Sequence, residues 1–526
     1  MSNPKHLPIG IQTFPDIIAG NYLYIDKTKD LYQLINRNKG VYFLSRPRRF
    51  GKSLLISTLA EIFAGNRHLF TNLWIATTDY NWQTYPVLRF DFSQRLAKSA
   101  DELQDIISTY LHGLATQHGI TLTATNYQQQ LIDLIQTLAP LNADDKVVIL
   151  IDEYDKPILD NIENGAVASD IRDVLKGFYT VIKSLDAHLR FVFLTGISKF
   201  SKVGVFSGLN NLEDLTLQPH FATLLGITHP ELEENLQPHL EAFSQYDNTS
   251  ISDLLHQIRT WYNGFRFASH GETVYNPFSL FLCLKQQRFA NHWFETGTPT
   301  FLLKLIRQRH YDVRQLDQLR LRELAFSSYD VETLQIIPLL FQTGYLTIKN
   351  YEKKHRIYTL DYPNYEVSHA FMQYLLGDFA HLEPSLSEAY HWQLIESLQQ
   401  QDINRFFDTL HIFFANIPYD IQIAQEKYYQ TIFYLIFRLM GLEITAEART
   451  NRGRIDAVVQ LDTATYLFEF KLNDTAANAL KQIKSNDYFS RYRLSPQPIY
   501  LIGVQFDLGQ RTIGQWEVET YDANQH

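Results

Sequence analysis

Cysteine is almost absent from this chain: Cys283 is the single one in 526 residues. One thiol rules out an internal disulfide framework and any zinc site built on cysteine pairs. The scarcity fits a reducing cytosol. No apolar run is long enough to span a bilayer; the most apolar helical stretch, Tyr428 to Leu442, is broken by Arg438. The opening MSNPKHLPIG has no apolar centre of the secretory-leader type. The expectation is a soluble, cytoplasmic protein with no membrane partner. Positive charge is also short, with 47 Lys and Arg against 57 Asp and Glu and a net charge of −10. That excludes a protein that coats polyanions generically. It leaves local basic grooves at Arg46–Lys52, Arg449–Arg454 and Lys481–Arg493. Aromatic residues are plentiful, 31 Tyr and 35 Phe, which suits several packed cores, and the length suggests roughly three or four domains.

Against that background one stretch stands out, Val41 to Leu59, VYFLSRPRRFGKSLLISTL. Val41 to Leu44 has the composition of a buried strand. A basic loop from Ser45 to Gly51 follows, then Lys52, Ser53 and a helical run from Leu54 to Phe63. Strand, glycine-containing loop, GK[ST] and helix is the arrangement that wraps a nucleotide's phosphates. The loop's N–H groups and the helix N-terminus both favour anionic oxygen. The expected cradle comprises Arg46, Pro47, Arg48, Arg49, Phe50, Gly51, Lys52, Ser53 and Leu54. Lys52 would reach the β- and γ-phosphates of ATP, and the Ser53 hydroxyl would ligate Mg²⁺. The general motif wants glycine where Arg46 stands. An ordinary βα turn with a surface lysine gives the same letters.

A second stretch, KVVILIDEYD at Lys146–Asp155, runs five apolar residues into Asp152 and Glu153. A carboxylate at the tip of a buried parallel strand sits where a loop-bound Mg²⁺ needs an acidic partner. Asp152 is the expected ligand and Glu153 the expected general base for the attacking water. Alone, the pair reads equally as a solvated turn. About 100 residues beyond Lys52, in this order, the two stretches predict an NTPase. Strand patterns at Pro86–Ser93 and Leu189–Ser198 alternate with helical ones at Ala100–His118, Asn126–Leu138 and Ala168–Leu185, the mark of a parallel sheet. Thr195, Ser198 and Lys199 then stand at a strand tip, as γ-phosphate or lytic-water contacts or as caps of a turn. Asp26, Lys27 and Thr28 read first as the cap of the following helix and only second as a ribose contact. Helical patterns from Pro230 to Leu284 suggest a lid, from which Arg266 reaches the γ-phosphate or bridges helices. Thr343–Ile348 and Arg356–Leu360 predict a hairpin in a small, winged-helix-like linker.

The motifs SRPRRFGKSLL, LIDEYD, FLTGISKFSK, VFSGLNNLEDLT and WYNGFRF with VYNPFSL, in that order, resemble the AAA-ATPase-like family of bacterial proteins. Many members end in a PD-(D/E)XK nuclease-type domain. The resemblance covers nearly the whole chain, and in that family an arginine-rich loop before GKS is normal. It implies ATP binding and hydrolysis.

The C-terminal third carries a second set of chemistry-bearing residues. A helical pattern at Gln425–Gly441 precedes strand patterns at Leu442–Arg449, Gly453–Leu461 and Thr465–Leu472, a helix at Thr475–Tyr488 and a closing strand at Pro498–Gln505. Glu469 and Lys471 are two apart on a strand and share a face, while Phe468 and Phe470 point to the core. The neighbouring strand brings Asp456 alongside. Asp456, Glu469 and the Phe470 carbonyl make an all-oxygen site suited to Mg²⁺ or Mn²⁺. Lys471 orients the water that the ion activates, Gln482 positions substrate, and Glu426 adds a carboxylate. E-x-K alone is weak, since an exposed strand face gives the same letters. Helix, strand, GRID, FEFK and helix with Gln482 resembles the PD-(D/E)XK nuclease core, on which Asp456, Glu469, Lys471 and Gln482 match its pattern.

The expected fold is therefore α/β: a P-loop NTPase parallel sheet with helical lid and linker, then an α/β PD-(D/E)XK nuclease-like domain. The divisions fall at 1–220, 221–300, 301–380 and 381–526. The expected function is ATP hydrolysis coupled to metal-dependent cleavage of nucleic acid, DNA ahead of RNA, with self-association left open. The rival is an ATP-switched signalling or scaffold protein whose nuclease-like fold only binds.

Overall fold

Four of the apolar runs read above lie side by side. β1 (Gly40–Ser45), β2 (Val87–Asp91), β3 (Val147–Asp152), β4 (Leu189–Gly196) and a short β5 (Glu213–Asp214) form one sheet in the order β2-β3-β4-β1-β5. Every pairing in it is parallel. β3 and β4 are buried at each position, as strands covered on both faces by crossover helices must be. Those helices include Lys52–Phe63, Ala100–Gln117, Tyr127–Leu138 and Gly165–Ser184. Side-chain oxygens of Ser99, Asn126 and Asn164 cap the last three, satisfying first-turn N–H groups. The computed structural model describes residues 4–521 except 38, 143, 201–204, 210, 294–299, 310, 328–334, 381–383, 418–425, 440–442, 451–452, 472–473, 493–496, 508 and 511. It divides into two units, 1–302 with 318–367, and 303–317 with 368–526.

Within the first unit, helices His229–Asp247, Ile251–Tyr262 and Pro277–Gln286 share an apolar cluster through Leu232, Leu236, Leu254, Ile258 and Leu280. A capping box of Thr228 and Glu231 starts the first of them. A small antiparallel sheet, β6 (Leu319–Leu321), β7 (Thr347–Glu352) and β8 (Ile357–Asp361), has the order β6-β8-β7. The hairpin starts later than the expected Thr343. Helix Ile336–Thr343 takes that residue, and Gly344, at φ 92°, ends it. A left-handed C-terminal residue is how such a helix stops. Leu339, Leu340, Phe341 and Gln342, a full turn of this helix, are buried, so that turn presents no surface to a nucleic-acid groove.

The second unit is built on β9 (Glu443–Thr450), β10 (Gly453–Gln460), β11 (Thr465–Lys471), β12 (Ile499–Asp507) and β13 (Thr512–Tyr521), ordered β13-β12-β11-β10-β9. Only β11 and β12 pair in parallel, and helix Ala476–Ser485 supplies the crossover that such a pair needs. β12 is not the closing strand expected above, because β13 pairs beyond it. Glu469 lies opposite Gly503 in register. A Cβ at Gly503 would overlap the backbone of Ala476 and Leu480, so this glycine lets the helix lie directly on the sheet.

Candidate active sites

Two centres take shape, one in each unit. In the first, β1 runs into a loop whose Arg49 and Gly51 are both left-handed, at φ 67° and 95°, and Gly51 opens the helix Lys52–Phe63. Lys52 is buried. Its Nζ donates to the carbonyls of Arg46 and Pro47, each at 3.1 Å, and lies 3.8 Å from Glu153 Oε1. Glu153 sits just past β3 with φ 52°, a costly conformation for a glutamate. Burial raises its proton affinity, and the Lys52 charge opposes that. A cavity of about 480 Å³ opens here, lined by Arg48, Arg49, Lys52, Ser53, Glu153 and Lys156. Ile9, Ile11, Phe278 and Phe281 add apolar lining. The Arg49 guanidinium lies 4.7 Å from the centre of the Phe278 ring.

Asp152 is buried at the end of β3, and Thr195 Oγ1, at the end of β4, donates to its Oδ1 at 2.6 Å. β4 lies between β1 and β3, which sets Thr195 opposite Leu44. Gly51 and Leu54 also line the cavity. The remaining residues read as nucleotide contacts are engaged elsewhere. Arg46 donates to the carbonyls of Ser45 (2.8 Å), Thr216 (2.9 Å) and Phe221 (3.0 Å) and lies 4.1 Å over the Phe267 ring. Its desolvation pulls its pKa down to about 9, with Asp214 acting the other way. Phe50 packs edge-on against Phe265 and Phe267, and Pro47 rests on Gly344. Lys199 Nζ pairs with Asp214 at 2.5 Å. Arg266 donates from its guanidinium to the Lys349 carbonyl at 3.0 Å. Asp26 caps the following helix through Thr28, and Lys27 pairs with Glu231 at 2.6 Å. The apolar lining and Lys156 were not anticipated, because they meet the loop only when distant stretches fold together; no local pattern marks them.

In the second unit Glu469 is buried on β11. Its Oε1 accepts from the Gln482 amide and from Lys471 Nζ, the latter at 3.3 Å. Its Oε2 is buried without a hydrogen-bond partner. Burial, with the Asp456 charge as the second cause, pushes its pKa up to about 8, against Lys471. Asp456 on β10 accepts from the Phe470 N–H at 2.9 Å. Phe468 and Phe470 are in the core. The structure thus gathers Asp456, Glu469, Lys471 and Gln482, and places the Gln482 amide on Glu469. The Glu426 side chain and the basic side chains of Arg449–Arg454 lie outside the described residues. Lys484 pairs with Glu519 of β13.

The donor set of the second centre is compatible with a divalent ion in chemical terms. A buried carboxyl oxygen without a hydrogen-bond partner, such as Glu469 Oε2, gains from a cation that takes the place of its proton. Among the described residues no three His, Cys, Asp or Glu side chains converge. Mg²⁺ accepts one or two carboxylates because it keeps several waters and adds substrate phosphate oxygens.

A parallel sheet of order β2-β3-β4-β1-β5 with a GKS loop after β1 defines a P-loop NTPase-like domain, and the second sheet with its carboxylates and lysine defines a nuclease-like one. A family described as "Predicted AAA-ATPase" matches residues 8–206. The "PD-(D/E)XK nuclease superfamily" matches residues 424–516. A protein of Azotobacter chroococcum mcd 1, described as "Uncharacterized protein in vnfD 5'region", is 40% identical over 527 residues, covering 98% of this chain and 99% of that one. The chain belongs to the AAA-ATPase-like family and carries a PD-(D/E)XK nuclease-superfamily domain. Among the described residues no helix is long and apolar enough to cross a membrane.

Proposed function

We propose that this protein hydrolyses ATP in its first unit and cleaves nucleic acid, DNA in the first instance, in its second, as a cytoplasmic enzyme. The observation that carries the reading is the pairing of Lys52 and Glu153, 3.8 Å apart, in the lining of a cavity that has both cationic and apolar residues. The cationic residues suit a triphosphate, and the apolar Ile9, Ile11, Phe278 and Phe281 suit a purine. Lys52 now rests on its own loop's carbonyls. Phosphate oxygens, being anionic, outcompete those carbonyls for the ammonium group. Transfer of Lys52 to phosphate withdraws its charge from Glu153. The carboxylate then has greater proton affinity and accepts the proton of the attacking water. Ser53 and Asp152 would hold Mg²⁺ in this centre, and Asp456 and Glu469 in the other, where the ion supplies Lewis-acid charge and a more acidic water. Lys471 there orients the water and balances charge, and Gln482 keeps Glu469 turned toward the site. ATP binding gates the second activity through the lid.

The test is ATP hydrolysis and DNA cleavage, with and without ATP, in the wild type and in Lys52→Ala, Glu153→Gln and Lys471→Ala. Lys52→Ala and Glu153→Gln should cost at least about 100-fold in ATP turnover, and Lys471→Ala should abolish cleavage alone. Cleavage unaffected by Lys52→Ala under every nucleotide condition would refute the gating.

A further inference from the structure

One buried carboxylate laces the chain beyond β3 to the chain beyond β4, and the mechanism above does not use it. Asp155 is fully buried. Its Oδ2 accepts from the N–H groups of Ile197 (3.0 Å) and Ser198 (2.6 Å) and from Ser198 Oγ (2.5 Å). Its Oδ1 is buried with no hydrogen-bond partner. That oxygen lies against Gly196, where any Cβ would crowd both it and the Tyr154 ring. Tyr154 adds two more ties: its N–H donates to the Thr195 carbonyl and its hydroxyl to the Ser198 carbonyl, each at 2.9 Å. Ser45 Oγ, at the end of β1, donates to the Ile197 carbonyl at 2.5 Å. The tip of β4 is thus held from both of its neighbours in the sheet, and Asp155 accepts three bonds from the two residues that follow it.

A charge taken wholly out of water is costly, and a shape-matched neutral group often serves packing equally well. Burial favours the protonated form of Asp155, and the bonds from Ser198 favour the carboxylate; three donors on one oxygen fix its place more closely than packing alone. Charge-assisted bonds are the short and directional ones, and those to Ile197 and Ser198 sit two and three residues after Thr195. Thr195 in turn donates to Asp152 at 2.6 Å.

We propose that Asp155 is a positioning residue of the ATP-hydrolysing centre: it fixes Ile197 and Ser198, which sets the Thr195 hydroxyl, which orients the Asp152 carboxylate for Mg²⁺. This rests on the ATPase reading given above. Asp155 acts through the backbone and touches no reacting atom.

The experiment measures binding of a non-hydrolysable ATP analogue to the full chain by calorimetry across a Mg²⁺ series, with steady-state hydrolysis alongside. Asp155→Asn keeps the size and loses the charge. It should raise the Mg²⁺ midpoint and lower kcat by about 10- to 100-fold, the usual range for partners that orient a metal ligand. Metal-free nucleotide affinity should change by a smaller factor than the Mg²⁺ midpoint, since Asp155 reaches the phosphate loop indirectly, through Ile197 and its bond with Ser45. An Asp155→Asn midpoint equal to wild type overturns the proposal and leaves the ATPase reading standing. Absence of Mg²⁺-dependent binding in the wild type overturns that reading and this inference together. Should Asp155→Asn fail to fold, Ser198→Ala removes one donor and keeps the charge. Its midpoint should shift in the same direction by a smaller factor, and an unchanged value refutes the role.

Discussion

Glu469 carries its proton further up the pH scale in the folded chain than in the unfolded one, from 4.5 to about 8. The folded state therefore binds more protons across that window, and stability falls as pH rises through it. With divalent ions chelated, thermal unfolding of the second unit should move to lower temperature between pH 5 and pH 8. Glu469→Gln should flatten that dependence. Mn²⁺ titrated at pH 8 should bind more tightly than at pH 6, because the ion and the proton compete for the same carboxylate. Arg46 gives a second prediction at this scale. It stands where the general phosphate-loop motif has glycine, yet its guanidinium is spent on three carbonyls and a ring. Restoring that glycine should destabilise the first unit by about 3 kcal/mol, the scale of losing hydrogen bonds from a buried charged group, as measured by urea unfolding. Arg46 looked like a phosphate ligand in the sequence because a loop's spelling does not say which way a long side chain turns.

Elements were the easiest part to read where they are local. Val147 to Ile151 announces β3 because a strand buried on both faces has nowhere to alternate. Helices beginning after Ser99 and Asn126 announce themselves through their caps. β13 was missed although Ile513, Trp516 and Val518 stand among polar residues with nearly a strand's alternation; a glycine at 514 interrupts the pattern. Beyond motif residues such as Asp456 and Glu469, tertiary partners were not legible. Gln342 accepts from the Lys199 N–H at 2.7 Å across 143 positions, and nothing near either residue foretells it. Gly503 belongs at this scale too, since it fixes how closely helix Ala476–Ser485 approaches β12. Gly503→Ala should push the helix away, loosen the Gln482 contact to Glu469 and cost about 1–3 kcal/mol, as overpacking does. Thermal unfolding with and without Mn²⁺ checks it: the loss should be accompanied by weaker Mn²⁺ protection.

At the scale of the molecule, two sheets with separate cores hold two separate sets of phosphate-seeking groups. Calorimetric unfolding should resolve two transitions. An ATP analogue with Mg²⁺ at about 100 times its Kd should raise the one containing Lys52 by about 2.7 kcal/mol and leave the other in place. Lys52→Ala should abolish that response. The division into an NTPase-like and a nuclease-like half was readable because each half rests on residues close together in sequence, such as Gly51-Lys52-Ser53 and Glu469 to Lys471.

The carbonyl of Arg48 is held from outside its own loop, by the Asn276 amide at 3.3 Å and by the indole N–H of Trp293 at 3.1 Å. A buried indole that loses such a partner finds itself in a changed polarity. The phosphate loop is thereby tied to a natural fluorophore: in a chain whose other five tryptophans are replaced by phenylalanine, nucleotide binding should change the emission of Trp293.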